Sequence, residues 1–225
     1  MGVLIVLHHL NHSRSQRILW LLEELELEYE VQYYDRDPET MLAPPALRQI
    51  HPLGKSPVIT DGDLTVAESG AIIEYLIDRY GGGQLAPLSE TPERLRYRYW
   101  LHYAEGSAMP PLLLKLVFNR LEQQPLPFFV KPIARLISSQ VKSSFITPQI
   151  RHHFDYLEAE LGKNLWFVGD DFTAADIQMS FPIELGGLDI SRPNLMAYLD
   201  RIHARPAYQR ALKRGGPFEL AANLS

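Results

Sequence analysis

Residues 51–72 constrain the fold of this chain more than any other segment. Pro57 enters a short apolar run, and Ser69 stands shortly afterwards where a helical pattern begins. We expect a cis bond before Pro57, which would turn the backbone N–H and C=O of Ser56 outward, where an extended ligand can pair with them. Ser69 would lie among the unpaired N–H groups of a helix start, at the positive end of the helix dipole. With the Lys55 ammonium nearby, the segment predicts a site for a small peptide that carries free carboxylates.

The first part of the chain has the pattern of a β-α-β unit followed by a β-β-α unit. Its first helix carries Ile18, Leu21, Leu22 and Leu25 at helical spacing, and residues 61–63 mark a tight hairpin turn. Because a proline also enters the third strand, this order of elements is typical of a thioredoxin-like fold. The predicted elements are strands at 3–7, 31–34, 57–60 and 64–66, a short helical segment at 44–49 and a helix at 69–80.

Strand signals end at a segment rich in glycine and proline, and all later patterns are helical. We therefore expect a thioredoxin-like domain at residues 1–82, a linker at 83–91 and an all-helical bundle at 92–225. A long helix at 93–118 should bend around the two prolines at 110–111. Further helices are predicted at 148–161, 193–204 and 206–213.

Composition excludes several classes of function. The 225 residues carry a net charge of -5, so no excess of cations is present to neutralise nucleic-acid phosphates. Because no apolar run reaches membrane-spanning length and the start lacks the pattern of a signal peptide, we expect a cytoplasmic protein without membrane contact. The chain has no cysteine, which excludes disulfides, cysteine-ligated zinc and cysteine nucleophiles. Any thiol chemistry therefore needs a ligand that brings the sulfur.

Two further patterns have structural interpretations. His8, His9 and His12 are not expected to bind a metal, because adjacent strand residues face opposite sides of a sheet and no carboxylate completes a ligand set. Thr173 and Asp176 are spaced like a helix capping box with Asp in place of Glu. We expect this pair to begin a buried helix and to have no catalytic role.

Taken together, the sequence resembles the glutathione S-transferase family over nearly its whole length. The matching motifs are Pro-Leu-Gly-Lys-Ser-Pro at 52–57, Ala-Glu-Ser-Gly-Ala-Ile at 67–72, the linker, and Phe-Thr-Ala-Ala-Asp-Ile at 172–177. The first helix, within 12–25, looks most like a branch shared by bacteria and fungi. The resemblance implies an α/β thioredoxin-like domain followed by an all-α bundle. It also implies a homodimer that activates glutathione for attack on small hydrophobic electrophiles, with glutathione as co-substrate and no other cofactor or metal.

The resemblance also assigns the glutathione contacts. Ser56 would pair through its main chain with the cysteinyl part, and Pro57 would hold that pairing open. The two carboxylates of glutathione and its amino group would be bound at the two ends of the cradle. The residues assigned there are Glu68 and Ser69 for the γ-glutamyl part, and Lys55 with His51 for the glycyl carboxylate.

A glutathione thiol needs its pKa lowered from about 8.5 to react well near neutral pH, and a drop of roughly two units requires about 3 kcal/mol. The family uses Tyr, Ser or Cys to supply part of that stabilisation. Here cysteine is absent and no tyrosine precedes Tyr29. Ser13 is therefore the leading candidate, followed by Ser15, Asn11 and Arg14. The Arg14 guanidinium could instead donate directly to the thiolate.

The second substrate would lie against the helical domain, where Tyr103, Met109 and Phe118 are candidates for an apolar wall. A peroxidase activity, in which the same thiolate attacks an organic peroxide, would use the same residues. Two non-enzymatic alternatives share the fold: a regulatory docking module that has lost catalysis, and a carrier of apolar ligands. The surviving glutathione contacts favour the enzyme.

Overall fold

The computed structural model describes residues 4–37, 40, 42–186 and 191–216. Its amino-terminal part contains a four-stranded sheet in the order β2-β1-β3-β4. β1 runs parallel to β2 and antiparallel to β3, and β3 pairs antiparallel with β4. This confirms the predicted thioredoxin-like domain. The elements are β1 Ile5–Leu10, α1 Ser15–Glu24, β2 Tyr29–Tyr34, α2 Pro45–Ile50, β3 Val58–Asp61, β4 Leu64–Ala67 and α3 Ser69–Tyr80.

Only helical elements follow among the described residues. They are α4 Pro92–Tyr103, a first π turn Ala104–Ala108, α5 Met109–Gln123, α6 Lys131–Val141, a second π turn Lys142–Ile146, α7 Thr147–Leu161, α8 Ala174–Gly186, α9 Pro193–His203 and α10 Pro206–Gly215. The predicted helical domain is thus confirmed. The division at residues 1–82, 83–91 and 92–225 stays a prediction. No helix in the described ranges has both the length and the apolar character that a bilayer crossing requires.

The first strand extends to Leu10, beyond the predicted end at residue 7. His8 and His9 are polar and follow the apolar run, so the strand was predicted to end before them. Both are buried, and each has a hydrogen-bond partner. The His8 Nδ1 atom lies 3.0 Å from the hydroxyl of Tyr34, and the His9 Nε2 atom lies 3.1 Å from the carbonyl of Gly215. Buried polar groups that are hydrogen-bonded are tolerated in a sheet, so the strand continues through them.

The predicted helix at 93–118 is interrupted earlier than expected. The break lies in the first π turn, before the prolines, and Pro110 and Pro111 occupy the first turn of α5. A proline there needs no N–H partner, whereas in the middle of a continuous helix it would clash with the preceding turn. The wider i→i−5 turn, closed by Met109 N–H donating to the Ala104 carbonyl, accommodates the prolines. The second π turn precedes Pro148 in the same way.

The core joins the two parts of the molecule. Its largest fully buried side chains include Trp20 on α1, Trp100 on α4 and Tyr198 on α9. Helix α1 packs between the sheet and helices α8 and α10. Because α10 returns to α1, it carries the carbonyl of Gly215 to His9, and the end of the chain's last described helix reaches the first strand.

Candidate functional site

The cis Ser56-Pro57 peptide and the start of α3 border one cleft, which encloses about 490 Å³ of space, open solvent included. We call it the cradle. All six side chains assigned to glutathione line it: His51, Lys55, Ser56, Pro57, Glu68 and Ser69. The remaining lining residues are Arg14, Leu53, Ala67 and Glu105. Glu105, which comes from the first π turn of the helical part, was not suggested by the sequence.

Ser69 is the first residue of α3 and is buried. Its Oγ accepts hydrogen bonds from Arg17 Nη1 at 3.4 Å and from Gln178 Nε2 at 3.2 Å. The preceding residue, Glu68, is exposed and has a φ of 70°. Such a conformation costs a residue with a side chain about 1–3 kcal/mol and is concentrated at binding sites. The first N–H groups of α3 therefore offer a carboxylate the positive end of the helix, beside an acid that suits an ammonium group.

Two arginines and one glutamate form a charged cluster at the cradle, and two of the three, Arg14 and Glu105, line it. Arg17 is 2% exposed, and its Nη1 is paired with Glu105 Oε1. The other oxygen of Glu105 lies 3.1 Å from Arg14 Nε. Burial lowers the pKa of the Arg17 guanidinium, and the Glu105 carboxylate opposes that shift. The cluster ties α1 to the helical part directly below Ser69. In the sequence, the only sign of this cluster is Arg17, which directly precedes the apolar residues of α1.

The candidates for thiol activation differ in whether their side chains line a cleft that could hold a ligand. Ser13 lines a second cleft, described below, and its Oγ lies 3.4 Å from Ser56 Oγ. Ser15 is fully buried, so no ligand can touch it. Arg14 lines both clefts. Asn11 is engaged with Arg36, since its Oδ1 accepts from the backbone N–H of that residue at 3.0 Å. Ser13 and Arg14 are thus the two candidates that border ligand space.

A buried hydrogen-bond chain runs from Ser13 to the end of α10. Ser13 Oγ lies 2.8 Å from Ser15 Oγ, and Ser15 Oγ lies 2.8 Å from His9 Nδ1. The opposite ring nitrogen of His9 contacts the Gly215 carbonyl at 3.1 Å. We call this set the serine–histidine chain. Neither His9 nor its place in the site was suggested by the sequence, because its partner lies 206 positions away.

The direction of the serine–histidine chain follows from its ends. A carbonyl only accepts, so Nε2 of His9 carries the proton and donates to Gly215. Burial lowers the pKa of His9, which favours the neutral ring; the hydrogen bond to the Gly215 carbonyl opposes that shift, and the nearby His12 adds to it. In the neutral ring Nδ1 is then an acceptor, to which the hydroxyl of Ser15 donates. The Ser13 hydroxyl in turn donates to Ser15, and Ser13 Oγ also accepts from the backbone N–H of Ser15 at 3.2 Å.

The second cleft is larger, with about 920 Å³ of space, open solvent included, and we call it the apolar cleft. Of the three candidates for an apolar wall, Met109 lines this cleft, and Tyr103 and Phe118 lie outside it. Tyr103 is buried and its hydroxyl contacts His153 Nδ1 at 2.6 Å, because α4 turns that face toward α7. Phe118, on α5, is not among the lining residues, and its backbone carbonyl accepts a hydrogen bond from Ser138 Oγ on α6. The lining residues are His12, Ser13, Arg14, Arg36, Ser56, Met109, Leu113, Leu116, Arg120, Phe181 and Leu185.

The described residues contain no cluster of three metal-ligating side chains. The Thr173 and Asp176 pair lies away from both clefts and begins α8. The Asp176 carboxylate accepts from the backbone N–H of Thr173 and of Phe167, each at 2.9 Å, and from the Thr173 hydroxyl at 3.1 Å. Its role is therefore structural.

Comparison with known families agrees with this geometry. The family model described as "Glutathione S-transferase, N-terminal domain" matches residues 2–78, and "Glutathione S-transferase, C-terminal domain" matches residues 146–206. The cradle lies within the first match apart from Glu105, and α8 lies within the second.

Individual relatives cover most of the chain. A protein named glutathione S-transferase 3 from Schizosaccharomyces pombe is 37% identical over 94% of this chain and 88% of its own length. Glutathione S-transferase 1 from Saccharomyces cerevisiae is 34% identical over 81% of this chain and 80% of its own. The solved structure of a glutathione S-transferase from Actinobacillus pleuropneumoniae superposes with a TM-score of 0.79 at 35% identity, covering 98% of this chain and 99% of that one. This chain belongs to the glutathione S-transferase family.

Proposed function

We propose that this protein is a glutathione transferase in which the serine–histidine chain removes the thiol proton and Ser13 then stabilises the thiolate. The observation that carries the proposal is the position of Ser13. It lies at the end of a buried hydrogen-bond chain and also borders the apolar cleft, next to Ser56, which lines both clefts. A thiol bound at Ser56 would therefore meet Ser13 on one side and an electrophile on the other.

Glutathione fits the cradle in one orientation by charge. Its γ-glutamyl carboxylate belongs at Ser69, where the N-terminus of α3 provides unpaired N–H groups, and its ammonium belongs at the Glu68 carboxylate. The glycyl carboxylate then extends toward Lys55 and His51 at the other end of the same cleft. The cysteinyl backbone lies between them and pairs with Ser56 as an added strand.

The thiol proton has a path to a base. Ser13 accepts the proton from sulfur as its own proton passes to Ser15, and the Ser15 proton passes to Nδ1 of His9. Each hydroxyl gains and loses one proton, so the products are a thiolate and a protonated imidazole. The chain is now reversed, and the Ser13 hydroxyl donates to the thiolate. The Arg14 guanidinium, which borders both clefts, adds a second positive charge, and it is the alternative donor if Ser13 is not required.

The apolar cleft is the place for the second substrate. Its walls come from α5 and α8, with Met109, Leu113 and Phe181 among them, and it adjoins the sulfur position at Ser13 and Ser56. An apolar electrophile held there faces the thiolate without passing through water. We keep the homodimeric state and the cytoplasmic location as proposals that rest on family membership.

Conjugation of glutathione to 1-chloro-2,4-dinitrobenzene tests the proposed function, since the product absorbs in the near ultraviolet. We expect the wild-type protein to conjugate this electrophile well above the uncatalysed rate. The Ser13→Ala variant should lose most of that activity, whereas Ser139→Ala, an exposed serine on α6, should keep it. If the wild-type protein binds glutathione and does not accelerate the reaction, the carrier or docking-module alternative is correct.

A further inference from the structure

The lining of the apolar cleft carries a concentration of positive charge. Three guanidinium groups, those of Arg14, Arg36 and Arg120, line it together with the imidazole of His12. Its described lining residues include no Asp or Glu. Five apolar residues complete the lining with Ser13 and Ser56: Met109, Leu113, Leu116, Phe181 and Leu185. A cleft for neutral apolar molecules would not need this concentration of like charge.

The three arginines are not equivalent. Arg14 is paired with Glu105, which offsets its charge. Arg36 is half-buried, and its side chain donates to the carbonyls of Asn11 at 3.2 Å and His12 at 3.3 Å. Burial lowers the pKa of Arg36, and the positive charges of Arg120 and then of Arg14 lower it further. The guanidinium groups therefore repel one another across the cleft.

Arg120 is the group most available to a ligand. It is exposed on α5, and within the described ranges no carboxylate lies within ion-pair distance of its guanidinium. A carboxylate placed beside it would relieve the repulsion from Arg36 and accept paired hydrogen bonds from the planar fork of the arginine. The carboxylates of glutathione do not meet this requirement, because neither Arg36 nor Arg120 lines the cradle.

We propose that the apolar cleft selects electrophiles that combine an apolar, ring-sized body with a carboxylate. The body packs on Met109 and Phe181 with its reactive carbon toward Ser13, and the carboxylate lies at Arg120 with Arg36 behind it. This deepens the proposed function, on which it rests, by naming the class of second substrate. Reaction at the carbon follows ordinary substitution: the thiolate forms the C–S bond and chloride leaves with its electron pair from an aryl chloride.

Titration calorimetry with an unreactive pair of ligands tests the selection without turnover. The ligands are 3,5-dinitrobenzoate and 3,5-dinitrobenzamide, each added to protein saturated with S-methylglutathione. We expect the benzoate to bind about threefold to tenfold more tightly, the range for partly exposed ion pairs with good geometry. That preference should shrink as NaCl rises from about 0.05 M to about 0.5 M, because exposed charges are screened.

Matched variants locate the preference. Arg120→Gln should abolish it while leaving benzamide affinity unchanged, whereas Arg151→Gln, an exposed arginine on α7 that lines neither cleft, should leave it intact. Equal affinity of the two ligands for the wild-type protein, or equal loss in both variants, would overturn the proposal. Turnover of 4-chloro-3,5-dinitrobenzoate distinguishes failure of the carboxylate selection from failure of the proposed transferase activity. Benzoate preference without any turnover would overturn the enzyme proposal and leave the carboxylate site standing.

Discussion

At the scale of single residues, Ser13 and His9 belong to one hydrogen-bond chain but act at different moments. In the proposed mechanism, Ser13 contacts the sulfur and His9 holds the proton that the sulfur has lost. We predict that Ser13→Ala raises the pKa of bound glutathione by at least about one unit, equivalent to about 1.4 kcal/mol, with little change in glutathione affinity. Ultraviolet titration of the bound thiolate measures this, with Ser139→Ala as control. An unchanged thiol pKa would transfer the role to Arg14.

His9 gives a second prediction. Asparagine can accept from Ser15 but cannot take up a proton, so His9→Asn should raise the pKa of the bound thiol by about one unit or more and shift the acid limb of kcat/KM to higher pH. Because burial lowers the pKa of His9, the wild-type ring stays neutral, with Nδ1 as an acceptor, to a lower pH than an exposed imidazole does. The control is His102→Asn, an exposed histidine on α4. Identical pH profiles for His9→Asn and the wild type would show that solvent, not His9, receives the proton.

The sequence predicted those site residues that are close together along the chain. The six cradle residues come from two neighbouring motifs, at 51–57 and 68–69, and the structure brings them into one cleft. His9 and Glu105 were missed because each acts through a partner far away in sequence. The lining of the apolar cleft was harder to predict, because it combines residues from α5 and α8 with residues that precede α1. Of the three predicted wall residues, only Met109 lines it, and the Tyr103 hydroxyl contacts His153 instead.

At the scale of elements, the start of α8 depends on a buried carboxylate. Burial raises the pKa of Asp176 from 3.8 to about 6, although hydrogen bonds from Phe167 and Thr173 oppose the shift. The folded state therefore binds more protons than the unfolded state between pH about 4 and about 6. Its stability must fall as pH rises through that window, by about 3 kcal/mol from this group.

The Asp176→Asn variant isolates this effect, because an amide resembles the protonated acid and does not titrate. We predict that the difference in unfolding free energy between the wild type and the variant declines by roughly 2–3 kcal/mol from pH 4 to pH 7. Urea denaturation at several pH values measures it. A difference that stays constant with pH would show that Asp176 is ionised throughout.

The first π turn is the element that joins the cradle to the helical part. It carries Glu105, the partner of the buried Arg17. We predict that Glu105→Gln lowers the unfolding free energy by about 2–4 kcal/mol, since a buried guanidinium loses its counter-charge. It should also weaken glutathione binding, because Arg17 supports Ser69. Glu28→Gln, an exposed glutamate before β2, is the control for both measurements. Equal stability of the two variants would mean that water replaces the Glu105 carboxylate at no cost.

Element order was predictable because strand and helix patterns are local, and α3 has the predicted bounds. The end of β1 and the break before α5 were not. Both depend on long-range or backbone effects: β1 continues because its histidines find distant partners, and the π turn shifts the helix break ahead of Pro110. Composition and periodicity contain neither kind of information.

At the scale of the whole molecule, we predict a homodimer. Family membership supports it, and the strand β4, the linker and α4 expose Leu64, Leu88, Leu95 and Tyr99 to solvent in the single chain. Sedimentation equilibrium should give twice the 25.7 kDa mass of one chain. A mass of one chain at micromolar concentration would contradict the prediction.

The proposed mechanism requires that the folded protein convert bound glutathione into a thiolate. The most direct test is a pH titration of the ultraviolet thiolate band of glutathione bound to the wild-type protein. The chain has no cysteine, so the band belongs to the ligand alone once tyrosine ionisation is subtracted at high pH. We predict a thiol pKa roughly two units below the free value of about 8.5. Binding with an unshifted thiol pKa would contradict the claim and identify the protein as a carrier or docking module.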